Sequence, residues 1–178
     1  MSAVDYRRAL HRIPELDNQL PETVQLVQRI LAPLPCRVFS PITGSVCAWF
    51  DAGKSDAVAF RAELDALPVT EATDLPYASV HPGRMHACGH DAHAATLLTA
   101  ARILKSKEAE FSGQIRLFFQ QAEEIGAGAR LFVQDGLLDG AARVFGAHVS
   151  SRLESGKIAL TAGPQNASCD YFKIKVTG

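Results

Sequence analysis

"MHACGHDAHAATLLTAARILK", residues 85–105, carries two messages in one stretch. From Ala92 onward it is rich in Ala and Leu, which lose little side-chain freedom in a helix, so it predicts a helix with Asp91 as its N-cap. Its first nine residues hold His86, Cys88, His90, Asp91 and His93, in a chain with only six histidines. The helix is therefore expected to begin where a cluster of metal-ligating and acid–base side chains ends.

Reading toward the N-terminus, residues 66–91 contain Pro68, Pro76, Pro82, Gly83 and Gly89 with almost no periodicity. A connection this long in a compact domain usually has a function of its own. Before it stand three short β-rich runs, "CRVFS" from Cys36, "GSVCAWF" from Gly44 and "AVAFRAELD" from Ala57. Two amphipathic helices open the chain. Tyr6, Leu10 and Ile13 mark the apolar face of the first, and Val24, Leu26, Val27, Ile30 and Leu31 that of the second, which starts at Pro21.

Toward the C-terminus, "GQIRLFFQQAEE" (113–124) reads as a buried strand entering a loop at Ala122, and "GAGARLFVQDGLL" (126–138) as a helix stopped at Gly136. "ARVFGAHVS" (142–150) is another strand. Helices alternating with apolar strands predict an α/β layered domain in which strand ends deliver Asp65, Glu123, Glu124 and His148. The last stretch, residues 156–178, offers a strand, a Gly-Pro-Gln-Asn loop and an alternating strand through Tyr171, Lys173 and Lys175. We expect a catalytic domain over residues 1–165 and the first strand of a second domain over 166–178.

Composition narrows the class. Hydrophobic residues make up 47% and charged residues 21%, enough apolar surface to fold, and a net charge of -1 gives no general attraction to nucleic acid or anionic membrane. No run is long and apolar enough for a membrane span, and Asp5, Arg7, Arg8 and Glu15 leave no secretory signal visible in the first twenty residues. Cys36, Cys47, Cys88 and Cys169 are widely scattered in a chain too large to need staples, so reduced thiols and a cytoplasmic location are expected.

Each candidate group has an ordinary reading. An isolated Cys-Gly-His is more often a capping loop with a buried thiol, two adjacent acids often sit near a helix N-terminus, and a single histidine is commonly a satisfied core or surface group. Together they weigh differently. Cys88 and His90 flank one glycine, Glu123 and Glu124 end an apolar strand where paired carboxylates need a compensating cation or proton, and His148 closes another strand. A sulfur, two imidazoles and a carboxylate suit Zn²⁺, Mn²⁺, Ni²⁺ or Co²⁺, with the second carboxylate free to act as a base.

"YRRALHRIPEL", "FRAELDALPVTE", "MHACGHDAHAATLLTAA", "FFQQAEE", "GLL" and "FGAH" follow one another in the order and approximate spacing of the M20 metallopeptidases, and the chain resembles their amidohydrolase branch along essentially its whole length. That branch includes hippurate hydrolase-like, N-acyl-amino-acid deacylase and auxin-conjugate hydrolase-like enzymes. The resemblance implies a zinc-peptidase-like three-layer α/β catalytic domain with a mixed sheet, interrupted by an α+β lid that often mediates homodimerisation. It implies Cys88, His90, Glu124 and His148 as ligands of two divalent ions, Cys88 bridging them, and Glu123 as general base. Asp65 and Asp91 would form a supporting shell, to which His86 and His93 belong rather than to the metals. The substrate would be an N-acyl amino acid or a small peptide-like amide.

The chain departs from the family pattern at Glu63, where Asp is general, at Gln121, where Pro is frequent, and at "GAH", where "GLH" or similar is common. The family's lid, and a later segment bearing one more metal-binding histidine, have no counterpart before Gly178, so a piece of a longer enzyme is expected. Two other functions compete. One is a non-catalytic metal-binding or oligomerising fragment; the other makes Cys88 a nucleophile with His90 or His148 as its base.

Overall fold

A computed structural model describes residues 2–51, 56–107, 110, 113–164 and 172–177. The chain begins with α1 (Ala3–His11) and α2 (Pro21–Leu31) and continues through β1 (Arg37–Phe39), β2 (Val46–Asp51) and β3 (Ala57–Glu63). After the long connection come α3 (His90–Ser106), β4 (Gln114–Gln120), α4 (Gly128–Gln134) and β5 (Ala141–Gly146).

Local sequence accounts for where the first helices start. Ser2 and Asp5 form a reciprocal capping box on α1, the Ser2 amide donating to Asp5 Oδ2 at 2.7 Å and the Asp5 amide to Ser2 Oγ at 3.3 Å. At α2, Leu20 offers no capping side chain, and Pro21 fills the first position, where a missing N–H costs nothing. The buried Glu15 carboxylate supplies the cap instead, accepting from the amides of Glu22 (3.2 Å) and Thr23 (2.8 Å).

The five strands form one mixed sheet in the order β1-β2-β4-β3-β5, with β3, β4 and β5 parallel and β2 antiparallel to both of its neighbours, β1 and β4. Period-two alternation sorts the side chains between two faces. Val46, Ala48, Phe50, Leu117 and Phe119 turn toward the α1, α2 and α3 side, where Leu10, Val27, Leu31, Leu98 and Ala101 complete the larger core. Cys47, Ala59 and Phe118 turn the other way onto Phe132 of α4 and Leu137. This is the three-layer α/β arrangement expected.

The connection from β3 to β4 runs through α3 on one face, and that from β4 to β5 runs through α4 on the other, passing back over β3. The winding direction therefore reverses between β3 and β4. Crevices beyond the carboxyl ends of parallel strands at such a reversal are where open α/β sheets bind ligands.

Two expectations need correction. The helix of the opening stretch begins at His90 rather than after Asp91: Gly89, with φ of 94°, is the N-cap, and the Asp91 carboxylate turns inward to other partners. Residues 157–164 and 172–177 form no strand, and Ile158, Leu160, Phe172 and Ile174 are exposed. The remainder of the expected second-domain strand, residues 166–171 and 178, lies outside the described residues. Among the described residues no helix is long and apolar enough to cross a membrane.

Candidate metal centre

Three parallel strands end at one edge, and each hands its next residues to the same place. Asp65 follows β3 by two residues, Glu123 and Glu124 follow β4, and His148 follows β5. Cys88 and His90 arrive from the start of α3. Gly89 allows this convergence, since a Cβ there would lie 2.5 Å from Val149 Cγ2 and the backbone is left-handed.

Asp65 ties the elements together. It is fully buried, its main-chain carbonyl accepts from His90 Nδ1 at 2.7 Å, and its Oδ2 accepts the Glu124 amide at 3.0 Å. With Nδ1 donating to a carbonyl, His90 directs Nε2 toward Glu124 Oε1 at 3.7 Å and Glu123 Oε2 at 3.8 Å. His90 Nε2 and Glu124 Oε1 are both buried and have no hydrogen-bond partner among the described residues. Cys88 Sγ lies 3.4 Å from His148 Nε2. Donor atoms of Cys88, His90 and His148 lie within 4.8 Å of one another, as do those of His90, Glu123 and Glu124. All five residues singled out from the sequence therefore meet, with His90 common to both groups.

The electrostatics favour a cation here. Burial, then the charges of Glu124 and Glu123, push the Cys88 thiol up to about 12, far from the depressed values of nucleophilic cysteines. Burial alone would lower His90, but the Asp65 hydrogen bond and the Glu63 carboxylate raise it. Carboxylates that raise both a thiol and an imidazole mark a site with an excess of negative charge. Divalent cations offset such charge, and thiolate, imidazole and carboxylate are their usual donors.

The surrounding groups divide into two sets. His93, buried one turn into α3, meets Glu63 Oε2 through Nδ1 at 2.9 Å and accepts the Val149 amide on Nε2 at 2.9 Å. Burial raises the Glu63 carboxyl, yet His93 and Arg61 outweigh it and bring the group down to about 2. On the far side of the α3 start, Asp91 Oδ2 meets His11 Nδ1 and Arg7 Nε, each at 2.7 Å, and His11 Nε2 meets Glu71 Oε1 at 3.1 Å. Asp91 is thus tied to α1, and among the described residues buried His86 makes no hydrogen bond from either ring nitrogen. Burial lowers His86 to about 4.

Sequence reasoning misses the His11, Arg7 and Glu71 group. Its only local trace is Arg7 and His11 four apart on one helix, and nothing nearby points to an aspartate eighty positions on.

A model of peptidase family M20/M25/M40 matches residues 59–177. The N-acetyl-L-cysteine deacetylase of Bacillus subtilis (strain 168) is 42% identical over 98% of this chain and 42% of its own length. The N-acyl-L-amino acid amidohydrolase of Geobacillus stearothermophilus is 42% identical over 98% of this chain and 48% of its own. A Bacillus subtilis crystal structure, described as a dinuclear metal binding peptidase from the M20 family, superposes with a TM-score of 0.80 at 40% identity, covering 83% of this chain and 42% of that one. The chain spans less than half the length of these relatives.

Proposed function

The chain belongs to peptidase family M20/M25/M40, and from that membership and the geometry of its strand ends we propose that it supplies the metal-binding and proton-transferring side chains of an amidohydrolase. The substrates are N-acyl amino acids, the class named for two relatives at 42% identity, or small peptide-like amides. One observation carries the reading: His90 Nε2 and Glu124 Oε1 are buried, unpartnered among the described residues and 3.7 Å apart, beside a thiol and a second imidazole.

Cys88, His90, Glu124 and His148 would hold two divalent ions, which when bound polarise the amide carbonyl and make water a nucleophile near neutral pH. Glu123 has a different part. Its carboxylate is 40% exposed, unlike the 20% of its neighbour Glu124, so it can reach a substrate entering from solvent. It takes a proton from the attacking water and returns it to the departing nitrogen. Asp65 keeps Nδ1 of His90 protonated and thereby leaves Nε2 as the lone-pair donor. A cysteine nucleophile is disfavoured, because the thiol is raised to about 12 where that chemistry needs it lowered.

The test is removal and return of metal. Chelation should abolish hydrolysis of N-acetyl and N-benzoyl amino acids by this chain extended to the length of its relatives, and Zn²⁺, Mn²⁺, Co²⁺ or Ni²⁺ should restore it. Activity indifferent to chelation overturns the reading. Bound metal with no turnover in the extended chain leaves a binding fragment in its place.

A further inference from the structure

His148 is the least supported member of the cluster. It lies beyond the end of β5, an edge strand whose Val144 and Phe145 are half exposed, and its own Nδ1 meets only the carbonyl of the next residue, Val149, at 2.6 Å. Something must nonetheless hold its Nε2 at 3.4 Å from Cys88 Sγ.

The structure offers a connected answer. The Val149 amide, in the peptide group directly after His148, donates to His93 Nε2 at 2.9 Å. A main-chain N–H can only donate, so Nε2 of His93 bears a lone pair and its proton sits on Nδ1. There it points at Glu63 Oε2, 2.9 Å away, and Arg61 pairs with the other oxygen of that carboxylate. The His93 and His148 rings meet edge-to-face with centroids 4.3 Å apart, and the Val149 side chain packs on Gly89, between Cys88 and His90.

We propose that Glu63 and His93 are positioning residues: Glu63 fixes the tautomer of His93, and His93 clamps the His148–Val149 peptide so that His148 faces Cys88. This rests on the metal-centre reading only for its consequence, because the clamp itself is a feature of the metal-free chain. It also separates His93 from the ligands. Donor atoms of His93, Glu63 and His90 all lie within 4.8 Å of one another, near enough to share an ion, but both ring nitrogens of His93 are already committed. The Glu at position 63 reaches His93 from the end of β3, which gives the longer side chain at this position a use.

Two measurements on the 178-residue chain test this, one without metal. Amide hydrogen exchange at Val149, followed by NMR in the metal-free chain, should accelerate at least ~10-fold in His93→Leu, since a lost hydrogen bond of about 1.4 kcal/mol is a factor of ten. His93→Gln, whose side-chain oxygen can still accept the amide, should restore most of the protection. Glu63→Gln, which preserves volume if His93→Leu fails to fold, should show an intermediate rate. Titration with Co²⁺, read by the thiolate-to-cobalt absorption of Cys88, should show affinity falling about 10- to 100-fold in His93→Leu and recovering in His93→Gln. Unchanged exchange and unchanged Co²⁺ affinity in His93→Leu overturn the clamp. Loss of one imidazole from the cobalt site in both variants also overturns it, making His93 a ligand. A wild-type chain that takes up no Co²⁺ defeats the metal-centre reading instead, while the Val149 exchange still decides the clamp.

Discussion

His90 Nε2 and Glu124 Oε1 face each other across 3.7 Å, both buried at the carboxyl end of the sheet and with no hydrogen-bond partner among the described residues. Buried polar atoms left without partners cost about 1–3 kcal/mol each. Glu124→Gln should therefore leave the metal-free chain as stable as wild type or about 1 kcal/mol more stable, since it removes a desolvated charge from an acidic cluster. The same substitution should abolish stabilisation by added metal, which at a hundred times Kd amounts to ~2.7 kcal/mol in wild type. Thermal melts with and without Zn²⁺ measure both effects.

Glu123 should separate from its neighbour. It is the more exposed of the pair and lies 3.8 Å from His90 Nε2, and the proposed reaction assigns it the proton transfer. In the extended enzyme, Glu123→Gln should retain metal content while turnover falls about 10²- to 10⁴-fold, the usual contribution of a positioned general base. Elemental analysis beside steady-state rates checks the split; equal loss of metal in the two single variants would show that both acids are ligands.

The alternation of helical and strand patterns is enough to read the α/β class; strand-end positions are enough to nominate Glu123, Glu124 and His148, and the Cys-Gly-His step before the helix nominates Cys88 and His90. Those features are local, set by period and by the residues that end each apolar run. The start of α3 is misplaced from sequence because Asp91 carries an ordinary capping side chain, whereas the true cap, Gly89, works through backbone conformation. Asp91 instead spends its carboxylate on His11 and Arg7, a pairing across eighty residues that has no local signature. The expected strands after Lys157 alternate well, but alternation describes a face and not a partner.

His11 should make stability depend on pH. Its hydrogen bond to Asp91 is the chief influence raising it above the ordinary 6.5, burial opposes, and Glu71 adds to the rise. Arg7 from α1 opposes the rise, and Tyr77 and His86 also adjoin the ring. A raised folded value means that this contribution is complete below pH 6.5 and is lost as pH climbs through the folded value. His11→Asn should cost about 1.5–3 kcal/mol in mildly acid buffer, the range for a hydrogen bond to a charged group. Denaturant melts should find the gap between wild type and variant narrowing as pH rises from mildly acid into alkaline buffer. A gap that widens with pH would mean that His11 is buried neutral.

Gly89→Ala should injure the centre without removing any donor atom. The backbone at Gly89 has φ of 94°, and an added Cβ would approach Val149 Cγ2 to 2.5 Å. Left-handed backbone costs an alanine about 1–2 kcal/mol, and relieving the clash requires Val149 to move away from the Cys88–His90 turn. Because the Val149 amide is held by His93, that movement would carry His148 with it. Gly89→Ala should therefore lower Co²⁺ affinity beyond its cost in stability. Combining it with Val149→Ala, which removes the clashing methyl but keeps the amide, should recover most of the metal affinity and leave the backbone penalty of about 1–2 kcal/mol in place. Parallel Co²⁺ titrations and denaturant melts on the two variants separate the contact from the strain, and affinity that tracks stability one for one would show that Gly89 matters only for folding.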